Sequence, residues 1–480
     1  MILKTKLLWY QKAAFDKLSN FRIGALFIEQ GGGKTRTALE FVRDRLDRGL
    51  IDQTLWLCPC NTKENLKEDI IRHCGEMPGN IIIVGLESIG GSDRIYLTVR
   101  ELVQRRRTFL IVDESLMVKN FFAKRTKRII DIASFCPFRM LLNGTPVSKT
   151  EADLFAQWYI LDKRVLGYDS YYSFAANHLE YREIKDANGR KVRTNQISHV
   201  LDVDYLTAKI APYTYQIKKS ECVQLPPKRY FDRCFYMTME QKQAYAETRE
   251  EFLMNVDELR SDTIYKLFTA LQHVASGRYV TSPAPARMRT KNMFDDIMDN
   301  PRIRCLDDLM DDIGGEKVII FAKYQEEVNE ISELLDRKGI SHVEYTGRIK
   351  NRERQENRQA FRDGVQVLIA NKQCGAYGLN LQFCHNLIFY DNDFDFATRA
   401  QAEDRVHRLG QDHEVHIYDI VANDTIDEFI SKNLGKKSNM LEAMKRYIKK
   451  YKNMTADKIM ESLPESEIKG KIRESKSKIA

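Results

Sequence analysis

From Phe21 to Ile160 short apolar runs alternate with longer stretches in which apolar residues recur every three or four positions. The runs Ile23–Ile28, Thr54–Cys58, Asn80–Val84, Thr108–Val112 and Arg139–Leu142 read as strands, and Thr35–Arg48 and Tyr96–Arg107 as amphipathic helices between them. Repeated strand-then-helix alternation implies a parallel sheet with helices on both faces. The pattern returns at Val318–Phe321, Ser341–Tyr345, Val365–Ala370, Asn386–Tyr390 and Val415–Ile420. The expected fold class is therefore α/β, with parallel-sheet lobes over residues 1–160 and 314–431. Residues 161–313 are richer in aromatic and charged residues and mostly helical in period. They carry a hairpin-like turn at Asn188-Gly189 and an extended break at Leu225-Pro-Pro-Lys228, and read as helical insertions plus the connection between lobes.

Composition narrows the class. With 480 residues, 43% hydrophobic and 30% charged, the chain has the make-up of a soluble multi-domain protein. It has no apolar run of membrane-spanning length and no signal-peptide pattern at its N-terminus, so a cytoplasmic setting without membrane attachment is expected, a prokaryotic or phage-infected cell suiting the size. Nine scattered cysteines without a Cys-x-x-Cys pair point to free thiols rather than disulfides or a zinc module. The net charge of +8 sits in residues 432–480, with 14 Lys/Arg against 6 Asp/Glu, while residues 1–431 balance at 62 each. This basic tail fits a nucleic-acid contact, a solvated helix or a disordered end.

Three segments carry chemistry. Gly31, Gly32 and Gly33 follow one strand and precede one helix, where backbone N–H groups at a helix N-terminus can wrap phosphate oxygens. Lys34 would then reach the outer phosphates and the Thr35 hydroxyl would hold Mg2+. Taken alone, the segment also fits a glycine-rich turn with an exposed lysine, because the first glycine of the strict phosphate-loop pattern falls on Ile28. The strand Phe109–Val112 ends in Asp113-Glu114, where Asp113 would ligate Mg2+ and Glu114 would polarise a water. Arg405 and Arg408, at i and i+3, share one helical face and could stabilise phosphoryl charge, or form a salt-bridged helix.

In their order these segments resemble the SNF2 family within helicase superfamily 2, and the resemblance covers residues 7–431. Trp9-Tyr-Gln11 looks like the upstream element whose glutamine reads adenine. Gln30–Thr35 resembles motif I, Leu57-Cys-Pro59 motif Ia, Asp113–Asn120 motif II with the family's Lys-Asn extension, and Leu142–Pro146 motif III. Lys317–Phe321 is similar to motif IV, Ala370–Leu381 to motif V, and Gln401–Gln411 to motif VI, the most diagnostic block. Tyr213–Lys219, Leu225–Lys228 and Met237–Gln241 look like the family's inter-lobe region. Leu116 stands where the family usually has histidine, so a relay from that histidine to motif III is absent or replaced. Leu66 stands where many members carry tryptophan.

The resemblance implies two RecA-like lobes that close on ATP and Mg2+. Gln11, Gly31, Gly32, Gly33, Lys34 and Thr35 would bind the nucleotide, and Asp113, Glu114, Gln401, Arg405 and Arg408 would act in hydrolysis. Lys119, Asn120, Lys372 and Asn380 would contact the DNA backbone, although lysines on such loops are otherwise ordinary solvated groups. Without a recognition helix or zinc finger, binding is expected to be sequence-independent and salt-dependent. The expected activity is that of a double-stranded-DNA translocase remodelling branched or protein-bound DNA, with replication or recombination proteins as possible partners and the oligomeric state left open. The alternatives are a strand-separating helicase, the motor subunit of a restriction-type complex, and a non-enzymatic, ATP-switched DNA-binding scaffold.

Overall fold

The computed structural model describes residues 1–29, 31–147, 150–185, 191–222, 225–254, 261–282, 288–371, 381–392 and 396–435. Gln30, the Asn188-Gly189 turn, Lys372, Asn380 and the basic tail from residue 436 lie outside them. The chain divides into two compact units. The first takes in Met1–Pro226, Asp404–His413 and the described part of Ala376–Phe383; the second holds the remainder from Pro227.

The first unit is built on strands β1 (Ile23–Ile28), β2 (Gln53–Cys58), β3 (Ile81–Gly85), β4 (Thr108–Asp113) and β5 (Phe138–Asn143). A sixth strand, β8 (Thr214–Ile217), completes a sheet of order β3-β2-β4-β5-β1-β8, parallel at every pairing. Its central strands are mostly apolar because both faces are covered. Ala25, Leu55, Leu57, Leu110, Val112 and Leu141 join one core, while Leu26, Trp56, Cys58, Phe109, Ile111 and Met140 join the other. The period-2 alternation of side chains thus divides each strand between two helix layers. Helices α1 (Trp9–Leu18), α2 (Lys34–Asp47) and α3 (Lys63–Cys74) cover the second face, sending Ala14, Leu39, Val42 and Ile70 into it.

Strands β6 (Leu179–Lys185) and β7 (Lys191–Val200) form a separate antiparallel pair. In the second unit β9 (Lys228–Phe235) precedes another two-stranded pair, β10 (Arg278–Ser282) with β11 (Arg289–Asn292). Then come β12 (Val318–Phe321), β13 (His342–Tyr345), β14 (Val367–Ala370), β15 (Asn386–Phe389) and β16 (Val415–Ala422). These five and β9 form a second parallel sheet of order β13-β14-β12-β15-β16-β9. Its core gathers Val318, Ile320, Val367, Ile369, Ile388 and Ile420 under the helices Ser261–Ala275, Pro301–Ile313 and Gln325–Arg337.

The α/β class and the two parallel sheets agree with the sequence pattern. The reading of residues 161–313 as mostly helical needs correction, since that span also supplies one edge strand to each sheet, β8 and β9, and the antiparallel pair of β10 and β11, while β6 and β7 flank the expected turn at Asn188-Gly189. The edge strands are short or largely exposed and so lack the continuous apolar run of a buried strand. Segment 404–413 was assigned by sequence to the 314–431 lobe, yet it packs with the first unit. Lys219 ion-pairs with Asp404 at 3.0 Å and also donates to the His407 carbonyl, and the His407 ring lies 2.8 Å from the Pro226 carbonyl. Among the described residues the cysteines are free, and no helix is long and apolar enough to cross a membrane.

Candidate active site

Between β1 and α2 the chain turns through Gly31 (φ 81°) and Gly33 (φ 75°), left-handed conformations that glycine adopts without steric cost. Space forbids a side chain here as well. A Cβ on Gly32 would lie 2.5 Å from Ile28 Cγ2, and one on Gly31 would lie 2.6 Å from Cβ of Arg408. Gly33 occupies the N-cap of α2 and brings no capping side chain, so first-turn N–H groups of α2 remain available to an anion.

The loop is held from beneath by α1. The Tyr10 hydroxyl donates to the Gly32 carbonyl at 2.9 Å, and the Gln11 amide reaches the Gly32 and Gly33 carbonyls at 3.4 Å each. Gln11 is 2% exposed, and its Oε1 accepts the Leu8 N–H at 3.0 Å. In this arrangement Gln11 braces the phosphate-type loop as well as lining the space beside it.

That space is a cavity of about 450 Å3 within the first unit. Gln11, Gly31, Gly33, Lys34 and Thr35 line it from the loop side, Asp113 and Glu114 from the end of β4, and Arg405 and Arg408 from segment 404–413. Residues that are neighbours only in the fold thus face one volume. Lys34 Nζ donates to the Ile28 carbonyl at 3.1 Å. Burial holds the Lys34 ammonium below its ordinary range; Glu114 and Asp113 oppose that shift, and Arg405 and Arg408 add to it. Burial, and then the charge of Glu114, push the Asp113 carboxyl well above the usual carboxylate range against the pull of Lys34. Burial also depresses the Arg408 guanidinium, with Asp69 acting the other way.

A hydroxyl from Thr35 and a carboxylate from Asp113 on the wall of one cavity are a sparse donor set. That suits Mg2+, which keeps waters and takes its remaining oxygens from a substrate phosphate. Among the described residues no group of three or more His, Cys, Asp or Glu is arranged to hold a metal by itself. The like charges at Asp113 and Glu114 mark where a cation would be favoured.

Other expected residues lie elsewhere. Gln401 sits in the helix Phe396–Glu403 of the second unit and does not line this cavity. Lys119 is partly buried and pairs with Asp153 at 3.5 Å, while Asn120 is exposed and accepts the Phe122 N–H at 3.0 Å. Sequence reasoning missed a further wall, formed by Asn65, Asp69, Arg72 and His73 of α3. Their spacing of three and four residues places them with Leu66 on one helical face, a periodic signal that was available. It also missed Ser115, the residue after Glu114, and Gln157, whose side chains bond to each other at 2.6 Å.

Residues 301–410 match the helicase conserved C-terminal domain. The chain is 38% identical to the uncharacterized ATP-dependent helicase YqhH of Bacillus subtilis (strain 168) over 127 residues, 26% of this chain and 23% of that protein. It is 23% identical to the CHD3-type chromatin-remodeling factor CHR7 of Arabidopsis thaliana, over 83% of this chain and 34% of the relative. The chain thus spans about a quarter to a third of the length of these relatives. The solved Sulfolobus solfataricus SWI2/SNF2 ATPase core in complex with dsDNA aligns over 97% of both chains, with 18% identity and a TM-score of 0.41. The chain is thus similar over most of its length to proteins described as an ATP-dependent helicase and a chromatin-remodeling factor, with the helicase conserved C-terminal domain matched at residues 301–410.

Proposed function

We propose that this protein is an ATP hydrolase that uses the energy of hydrolysis to move along double-stranded DNA, remodelling branched or protein-bound DNA during replication, repair or recombination. The observation that carries the proposal is the single cavity lined by the glycine loop, Lys34, the Asp113-Glu114 pair and two arginines. The relatives described as an ATP-dependent helicase and a chromatin-remodeling factor support it.

In this reading the α2 N-terminus and Lys34 bind the triphosphate, and Gln11 holds the loop in shape beside the nucleotide. Thr35 and Asp113 would hold Mg2+, which when bound neutralises phosphate charge. Glu114 accepts the proton of the attacking water. Arg405 and Arg408 stabilise the charge that develops on the transferred phosphoryl group, an effect worth roughly 10³ to 10⁵ in rate in other nucleotide hydrolases. Lys119 and Asn120, with Lys372 and Asn380, are proposed contacts to the DNA backbone.

The test is the ATPase rate of the purified chain with duplex, forked, four-way and single-stranded DNA and with RNA. Stimulation by duplex forms above all others supports the reading. Greater stimulation by RNA or single strands would defeat the duplex-translocase assignment.

A further inference from the structure

Glu114 is one of few non-glycine residues among those described with a left-handed backbone, at φ 50° and ψ 52°. Such a conformation carries a local cost and persists where its surroundings enforce it. Two sets of bonds do so. On one side, Oδ1 of Asp113 accepts the Glu114 N–H at 2.9 Å, and the Glu114 carbonyl accepts the Met117 N–H at the same distance. On the other, the fully buried Ser115 donates its hydroxyl to Gln157 Oε1 at 2.6 Å.

Gln157 is itself fully buried and uses every polar atom it has. Its amide nitrogen donates to the carbonyls of Pro146 and Asp153, both at 2.9 Å. The orientation of the amide follows from these partners. A flipped amide would set its oxygen against two carbonyl oxygens, so Oε1 is left to accept from Ser115. The bonds thus run from the residue after Glu114, through the helix Asp153–Leu166, to Pro146 at the end of the Leu142–Pro146 segment. Leu116 has no polar side-chain group with which to make such a link.

We propose that Gln157 is a positioning residue for hydrolysis: through Ser115 it fixes the strained backbone at Glu114, supplying the connection between the acidic pair and the Pro146 segment that Leu116 cannot make. The inference rests on the hydrolysis reading above. It concerns the placement of the carboxylate and not the binding of nucleotide.

The experiment is steady-state ATP hydrolysis with saturating duplex DNA, combined with nucleotide binding and thermal melting, on wild type, Ser115→Ala, Ser115→Thr, Gln157→Leu and Ser115→Ala/Gln157→Leu. Misplacing a reacting group by about 1 Å costs up to roughly 100-fold, so Ser115→Ala and Gln157→Leu should each lower kcat about 10- to 100-fold while KM for ATP and nucleotide affinity change less than about threefold. The double variant should fall no further than Gln157→Leu, because both substitutions break one link. Ser115→Thr, which keeps the hydroxyl, should restore most of the rate. Melting separates this from unfolding, since Ser115→Ala leaves Gln157 its two carbonyl partners. An unchanged kcat in Ser115→Ala, an equal loss of kcat and affinity, or multiplicative losses in the double variant would overturn the proposal. A wild-type chain without turnover would defeat the hydrolysis reading itself, and the inference with it.

Discussion

Gly31→Ala separates the cost of a strained backbone from the cost of a displaced arginine. At φ 81° the new methyl incurs the left-handed penalty of roughly 1–2 kcal/mol. It would also stand 2.6 Å from Cβ and 3.3 Å from Cα of Arg408, well inside the roughly 3.5–4.0 Å at which carbon atoms rest. Relief requires the loop and Arg408 to part by about 1 Å, a displacement that costs on the order of 100-fold where reacting groups must be aligned. Gly49→Ala is the matched control. Its φ is 65°, it pays the same backbone penalty, and nothing lies within 4 Å of the added methyl. Both variants should lose about 1–2 kcal/mol in urea unfolding, and only Gly31→Ala should lose about 100-fold in kcat for DNA-stimulated phosphate release. Wild-type turnover in Gly31→Ala, or an equal loss in Gly49→Ala, would refute the view that contact with Arg408 sets the geometry of this loop.

Lys34→Ala and Glu114→Gln should each abolish turnover measured by phosphate release; Glu114→Gln should still bind nucleotide, and a variant at the wild-type rate would remove that residue from the mechanism. His273, 7% exposed, has its imidazole pushed down to about 4 by burial and by Arg278. The folded chain therefore resists a proton that the unfolded chain accepts near pH 6.5, so this share of stability is present above that pH and is lost as pH falls toward 4. His273→Gln should recover on the order of 2 kcal/mol of the loss between pH 7 and 5 in urea titrations, and an unaltered pH slope would exclude the group. Deleting residues 436–480, most of the region where 14 Lys/Arg meet 6 Asp/Glu, should weaken DNA binding and flatten its salt dependence; an unchanged slope would assign the tail another role.

The strands that could be read from sequence are mostly the ones with apolar runs, and they include the edge strands β3 and β13. β1 and β12 were read to the residue and β2, β3, β4, β5, β13 and β15 within one residue at either end, because apolar side chains dominate most of them. β9, Lys-Arg-Tyr-Phe-Asp-Arg-Cys-Phe, shows neither an apolar run nor alternation, since as an edge strand it leaves most of its side chains exposed. β8 is only four residues long and carries two tyrosine- and glutamine-bearing positions rather than an aliphatic run. Both fell inside a region whose overall period was helical, and an edge strand without an apolar run is recognised by its partner strand, which no local pattern contains.

The cavity shows the same division in its chemistry. Residues that would touch phosphate stand out by composition, because three successive glycines, two adjacent acids after an apolar strand and Arg-x-x-Arg are uncommon combinations. The residues that hold them are ordinary. Gln157 gives one signal, a lone amide in the run Leu154-Phe155-Ala156-Gln157-Trp158, where every other member is a buried apolar side chain. An unbonded amide in such a place would cost about 1–3 kcal/mol, so it persists there only with its bonds made. In this chain those bonds lead to the backbone beside Glu114. A polar residue inside an otherwise apolar helical stripe is therefore a place to look for the support of a site, even where it is too far from any motif to be read as part of one.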